Sequence, residues 1–339
     1  MERLYYRPLA QTDACRPAGA LTLAGGWCWF DRVEVLSRSG SQGLMPAAEL
    51  PPEVAHRLTA PRAPLAGMRW DAPQIMGIVN TTPDSFSDGG RYDRPDAALA
   101  QAEALLTAGA DILDIGGEST RPGAVTVPEA AEVARTAPLI AALRSAGHKG
   151  PISIDTRKAA VAAAAVAAGA DLVNDVAAMT YDPAIAGVTA QAGAALCLMH
   201  AQGSPETMQA APRYDDVLLD VYDFLEERIA VAEAAGIPRG QILTDPGLGF
   251  GKTVAHNLAL INGLSLFHGL GCAVLLGTSR KRFIGTIGQA AQADQRMPGT
   301  LAVTLAGLSQ GIQLHRVHDV QEIAQGIALW RGMVMGYSE

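Results

Sequence analysis

The chain has 339 residues, 49% apolar and 18% charged, a composition that supports a large packed core and excludes a disordered chain. Its formal charge of −8 gives no general basic field for nucleic acid or an acidic membrane, so an anionic ligand must be met by locally placed cations. Cys15, Cys28, Cys197 and Cys272 have no metal-ligand spacing, MERLYYRPLAQTD lacks signal-peptide features, and the most apolar segment, Ala159 to Ala170, is too short to span a bilayer, so reduced thiols and a cytoplasmic chain are expected.

Residues 1 to 70 read as an N-terminal extension, with a strand at Trp27 to Leu36 and a linker punctuated by PAAELPPE and APRAPLAG. Residues 71–339 have a different rhythm. Alanine-rich helical stretches end in glycine and lead into four to six apolar residues, as in TAGADILDIGGE, AAGADLVNDVAA, QAGAALCLMHAQ and QGIQLHRVHDV. Strands are predicted near 75–79, 111–115, 151–155, 171–174, 194–199, 241–245, 273–276 and 312–317. Eight short apolar strands separated by helices predict a (β/α)8 barrel. A doubly wound open sheet is the alternative, and it too would place its ligand beyond the carboxyl ends of the strands.

Those ends carry Asn80, Glu118 to Arg121, Asp155, Asn174, His200 and Gln202, Asp245, Ser279 to Lys281, and Arg316 with His318. Asp155 and Asp245 with Asn174 between them suit a flat heterocycle that presents several N–H groups, and Lys281 its carbonyl. The plainer alternative is that each aspartate caps a helix or pairs with Lys281 or Arg316. Cations clustered after strands seven and eight suit a diphosphate; for His318 the alternative is a cap beside Asp319, while His268 and His315 read as structural. The loops at 80–93 and 116–127 exceed ordinary βα connections and read as lids over a charged substrate. Phe86, in the first, has no core to join unless a ligand provides one.

The blocks MGIVNTTPDSFSDGG, DILDIGGESTRPGA, ISIDT, LVNDV, CLMHAQGSPETMQ, LTDPGLGFGKT, LGTSRKRFIG and RVHDV, in this order and at these strand ends, resemble the dihydropteroate synthase family. The resemblance implies condensation of 7,8-dihydropterin-6-ylmethyl diphosphate with p-aminobenzoate, releasing pyrophosphate, without a protein nucleophile. It implies pterin contacts at Asp155, Asn174, Asp245 and Lys281, with Met199 and Phe250 against the ring. Asn80, Arg316 and His318 would hold the diphosphate with Mg²⁺, Asn80 as the metal ligand. Thr120 and Arg121 match the second loop, and Phe86, Pro122, Lys281 and Arg282 fall where the family binds the aminobenzoate. A homodimer is implied by the same resemblance.

Three positions depart from the commonest family text: Thr81 replaces a valine, Thr278 a methionine, and Arg282 a serine that receives the aminobenzoate carboxylate. Two other functions share much of this pattern. A pterin-binding methyl-transfer module would need the pterin contacts but not the STRPG, SRK and RVHDV segments together. A catalytically silent paralogue would not need the intact polar set.

Overall fold

The computed structural model describes residues 2–81, 94–119, 124, 126–203, 208 and 210–336. The N-terminal residues form β1 (Tyr5–Pro8), β2 (Leu21–Thr22), β3 (Trp29–Phe30), β4 (Arg32–Ser37), β5 (Gly40–Pro46) and α1 (Pro52–Thr59). The strand expected at 27–36 is thus two strands parted at Asp31. One joins the β2–β3 hairpin and the other is the centre of an antiparallel β1-β4-β5 sheet.

The strands β6 (Gln74–Asn80), β7 (Ile112–Gly116), β8 (Ile152–Asp155), β9 (Leu172–Asp175), β10 (Ala195–Met199), β11 (Ile242–Asp245), β12 (Ala273–Gly277) and β13 (Leu314–Val317) close into a barrel. Parallel pairing of β13 with β6 completes it, so the open-sheet alternative is wrong and the (β/α)8 reading holds. The strands are buried almost throughout, which explains their unbroken apolar text. Gly109 and Gly169, at φ of 103° and 112°, end the preceding helices in a conformation that costs other residues energy.

The outer layer comprises α2 (Arg94–Thr107), α3 (Glu129–Ser145), α4 (Ala159–Ala167), α5 (Ala184–Ala192), α6 (Val217–Ala234), α7 (Val254–Asn262), α8 (Arg282–Ile287), α9 (Met297–Leu308) and α10 (Val320–Met335). A buried 3-10 segment, Leu264–Leu270, follows α7. His268 and His315 are fully buried in this framework, with burial pushing them down to about 3 and about 4; they are neutral structural residues.

The N-terminal residues dock on the wall and base of the barrel. Tyr5 Oη donates to Asp223 of α6 at 2.8 Å, Ser265 Oγ to the Pro8 carbonyl at 2.7 Å, and Trp27 Nε1 to the Leu308 carbonyl at 2.8 Å. Arg3 and Arg38 meet the α6 acids Asp220, Asp223 and Glu226. Leu65, Met68 and Trp70 then pack against the inward residues Met76, Ile112, Leu172 and Leu314. Burial of Leu65 and Met68 contributes about 1.5–3 kcal/mol each, and it closes the end of the barrel opposite the polar strand ends.

Candidate active site

Alternation along each strand sends every second side chain inward, and the pairing register shows which belong together. Asn80 pairs with Gly116, Gly116 with Asp155, Asp155 with Asn174, Met199 with Asp245, and Gly277 with Arg316. These eight positions are the last inward residues of the eight strands. Gly116 and Gly277 leave gaps in the ring: a Cβ at Gly277 would lie 3.4 Å from Asp245 Oδ2, and one at Gly116 would lie 3.5 Å from Asp155 Cβ.

Arg316 crosses the floor of this ring. Its Nε donates to Asp114 Oδ2 at 2.5 Å and its Nη2 to Asp155 Oδ2 at 2.6 Å, while Asn174 Nδ2 donates to Asp114 Oδ2 at 3.2 Å. Asp114 Oδ1 and Asp155 Oδ1 are buried with no hydrogen-bond partner among the described residues. Burial, with the like charge of Asp114 added and Arg316 opposing, pushes the Asp155 carboxyl up to about 7. Burial disfavours the Arg316 charge as well, but Asp114 and Asp155 outweigh it and hold the guanidinium above its usual range. Asp245 caps its own turn, accepting from Gly247 N at 2.7 Å, and burial raises its carboxyl too. Thus the plainer expectation, an aspartate paired with Arg316, describes Asp155 here, and local capping describes one oxygen of Asp245.

The turn after β11 brings the next group. Gly247 has φ +67°, and a Cβ there would meet the His200 carbonyl oxygen at 1.9 Å; at Gly249 a Cβ would meet Lys281 Cδ at 3.1 Å. That close approach sets Lys281 Nζ over the Phe250 ring, 4.0 Å from its centre, a cation–π contact. Lys252 staples the turn from behind, donating to the Gly247 and Phe250 carbonyls at 2.9 and 3.0 Å and lying 2.9 Å from His200 Nδ1. Burial pushes Lys252 down to about 7, and burial beside Lys252 pushes His200 well below its usual value. His200 also packs edge-on to Phe224 at 4.8 Å, so it supports the turn instead of facing the floor.

His318 reaches the turn after β12. Its Nδ1 lies 2.8 Å from Ser279 Oγ, which ties the end of β13 to the turn after β12. Arg280 leaves the cation cluster, its Nε donating to Asp319 Oδ2 at 3.0 Å. Arg282 is exposed and opens α8, which is six residues long. Of the family departures, Thr81 Oγ1 donates to the Gly116 carbonyl at 3.0 Å and the buried Thr278 lies 3.5 Å from Thr304 Oγ1. Phe86, Thr120, Arg121 and Pro122 lie outside the described residues.

Two strand-end readings change. Glu118 turns away from the floor into a separate network with Lys158, Arg157 and the Val127 N–H. Asp114, passed over in the sequence because it lies inside β7 and not at its end, is in the floor and fully buried. A carboxylate in the middle of the apolar run ILDIG was the signal for it, since such a burial needs a partner.

Residues 76–318 match the pterin binding enzyme family. A dihydropteroate synthase of Neisseria meningitidis serogroup B is 47% identical over 268 residues, covering 78% of this chain and 93% of the relative. One from Bacillus subtilis is 46% identical over 74% of this chain and 85% of its own length. Among solved structures, Xanthomonas albilineans dihydropteroate synthase with 4-aminobenzoic acid aligns with a TM-score of 0.76 at 45% identity, covering 81% of this chain and 98% of that one. The same enzyme in complex with 7,8-dihydropteroate aligns at 0.73 and 42% identity, over 80% and 98%. The barrel, its polar ring and these similarities agree: the chain belongs to the pterin binding enzyme family, among the dihydropteroate synthases.

Proposed function

We propose that the chain joins 7,8-dihydropterin-6-ylmethyl diphosphate to p-aminobenzoate, giving 7,8-dihydropteroate and pyrophosphate. The observation that carries this reading is a buried carboxylate oxygen left without a partner on the floor, Asp155 Oδ1. An orphaned buried acceptor is costly, and the N–H edge of a pterin would satisfy it. Asp155, Asn174 and Asp245 bind that edge, Lys281 meets the pterin carbonyl, and Met199 and Phe250 contact the ring. Arg316 and His318 hold the diphosphate. Phe86, Pro122, Lys281 and Arg282 bind the aminobenzoate, and Thr120 and Arg121 act with them.

In this mechanism the bond between the pterin methylene carbon and the diphosphate oxygen breaks first, its electron pair leaving with the diphosphate. The buried carboxylates at the ring's N–H edge favour the positive charge that develops, and Arg316 and His318 favour the departing anion. The amine lone pair of p-aminobenzoate then forms the new carbon–nitrogen bond, and its proton passes to solvent. Exclusion of water protects the cation in the interval.

A divalent cation fits as a companion of the diphosphate. Among the described residues no group of three or more His, Cys, Asp or Glu side chains could hold a metal by itself. Asn80, half-buried at the end of β6, offers one neutral oxygen, which suits Mg²⁺ bound chiefly by diphosphate oxygens and water. Mg²⁺ held there would neutralise charge on the leaving group.

In this reading residues 71–339 are the catalytic barrel, and residues 1–70 are an extension that braces its wall and base. A homodimer is supported by Leu329 and Met333, one turn apart on α10 and 67% and 69% exposed. A cytoplasmic setting is supported by four free cysteines. A coupled pyrophosphate-release assay with both substrates and Mg²⁺ tests the function. Turnover that needs both substrates and falls with EDTA is expected; well-folded protein without turnover would refute it.

A further inference from the structure

Asp114 lies one inward alternate below Asp155: in the β7–β8 register Asp114 pairs with Ser153 and Gly116 with Asp155. A ligand resting on Asp155 therefore lies above Asp114. The two carboxylates grip different parts of Arg316. Asp114 accepts from Nε at 2.5 Å, and Asp155 accepts from Nη2 at 2.6 Å. A bond at Nε, nearest the chain, fixes the plane of the guanidinium and leaves its terminal N–H groups for other acceptors. Asp114 also receives Asn174 Nδ2 at 3.2 Å, so one buried carboxylate holds a residue from each of two strands, β13 and β9.

We propose that Asp114 is a positioning residue: it anchors Arg316 through Nε and Asn174 through its amide, so that Arg316 can release Asp155 to the pterin and turn its terminal N–H groups to the diphosphate. The inference rests on the function proposed above. It makes Arg316 a pivot in place of a fixed salt bridge. Substrate binding then exchanges one anion for another: Asp155 gives up its guanidinium contact for the ring N–H, and the diphosphate takes that contact. Without the Asp114 anchor, the whole guanidinium would follow Asp155 or the solvent.

The variant Asp114→Asn keeps an acceptor oxygen but removes the charge. We expect kcat/KM for the pterin diphosphate to fall about 10- to 100-fold, the range for a hydrogen bond to a charged group, with KM for p-aminobenzoate changed less than about 2-fold. The charged and titratable groups around Asp155 and this guanidinium are Asp114, Glu132, Asp175, Cys197, Asp245 and Arg316. Loss of the Asp114 charge eases ionisation of Asp155 and should move the acid limb of kcat/KM to lower pH, which a merely structural role would not do. A folded variant with wild-type kcat/KM and an unmoved limb would overturn the proposal. An independent measurement needs no variant: the ¹⁵N-edited signal of Arg316 Nε–H in the wild-type protein. It should stay protected from exchange when pterin and inorganic pyrophosphate are added together, while the Nη signals change. Rapid exchange of Nε–H in that complex would overturn the proposal even if the variant fails to fold. Inactive wild-type protein would instead sink the function itself.

Discussion

In and just beyond β7 and β8 the chain builds two buried ionic clusters of opposite kinds. In one, Lys158 Nζ donates to Glu118, to Glu132 and to the Val127 carbonyl, each at 2.6 Å. The remaining oxygens of both glutamates accept from Arg157 Nε at 3.0 Å and Thr156 Oγ1 at 2.8 Å. All three ammonium donors and all four carboxylate oxygens are used. In the other, Asp114 and Asp155 share one guanidinium, and one oxygen of each is left over. The two clusters differ in charge as well as in bonding: two acids with two bases against two acids with one base. A balanced, satisfied network holds loops and helices together, whereas one short of donors is shaped for a ligand that brings N–H groups. Burial and charged residues alone would not have told them apart.

The largest effect should come from breaking the finished cluster. Lys158→Met leaves the buried Glu132 without a cation and Glu118 with Arg157 alone, and should cost about 3–5 kcal/mol of stability, measured by chemical denaturation. A loss below about 1 kcal/mol, the range of exposed pairs, would remove the distinction drawn between the clusters.

The unfinished cluster should fail in function instead. Arg316→Ala should lower turnover by about 10² or more, as removal of a charge-stabilising donor does, while the protein stays folded. An unchanged rate would remove Arg316 from the leaving-group site.

The two clusters should also differ in pH response. The Asp155 carboxyl rises from 3.8 to about 7 on folding, so the native state holds this proton more tightly than the unfolded chain. Its contribution to stability is therefore most favourable at low pH and declines as pH rises from about 4 to about 7. Denaturation across that range should show a decline in the wild type that is smaller in Asp155→Asn; parallel curves would contradict the assignment. The Glu118 carboxyl goes the other way. Burial opposes its ionisation, but Lys158, Val127 N–H and Arg157 outweigh burial and lower it, so its contribution is lost as pH falls through and below the ordinary carboxylate range.

The smallest effect belongs to the surface. Arg3, 45% exposed beside Asp223 and Glu226, should contribute less than about 1 kcal/mol, and Arg3→Ala should leave kcat/KM unchanged. Kinetics separate a further expectation: a sulfonamide should inhibit competitively with p-aminobenzoate. Inhibition indifferent to p-aminobenzoate would contradict the proposed aminobenzoate site.

The barrel was legible because each strand is a short apolar run after a helix-ending glycine, and all eight fall within two residues of their expected places. Strand-end polar residues were legible for the same reason: alternation alone puts Asp155, Asn174 and Arg316 on one inward ring. Which cluster an acid joins was not legible. Glu118 finds Glu132 and Lys158 through α3 and the start of α4, contacts that no local pattern encodes. Asp114 sits inside its strand, so a search of strand ends passed it by. The N-terminal strands were missed where they are short or exposed, as in β5, whose residues GSQGLMP have neither alternation nor β-branched side chains.

The most direct test of the unfinished cluster is the affinity for 7,8-dihydropteroate by isothermal titration, in the wild type and in Asp155→Asn. Asp155 Oδ1, buried and without a partner among the described residues, should receive a pterin N–H. The variant should therefore bind about 10- to 100-fold more weakly, as loss of a hydrogen bond to a charged acceptor requires. Equal affinities with a folded variant would contradict the claim that this oxygen receives the pterin N–H edge.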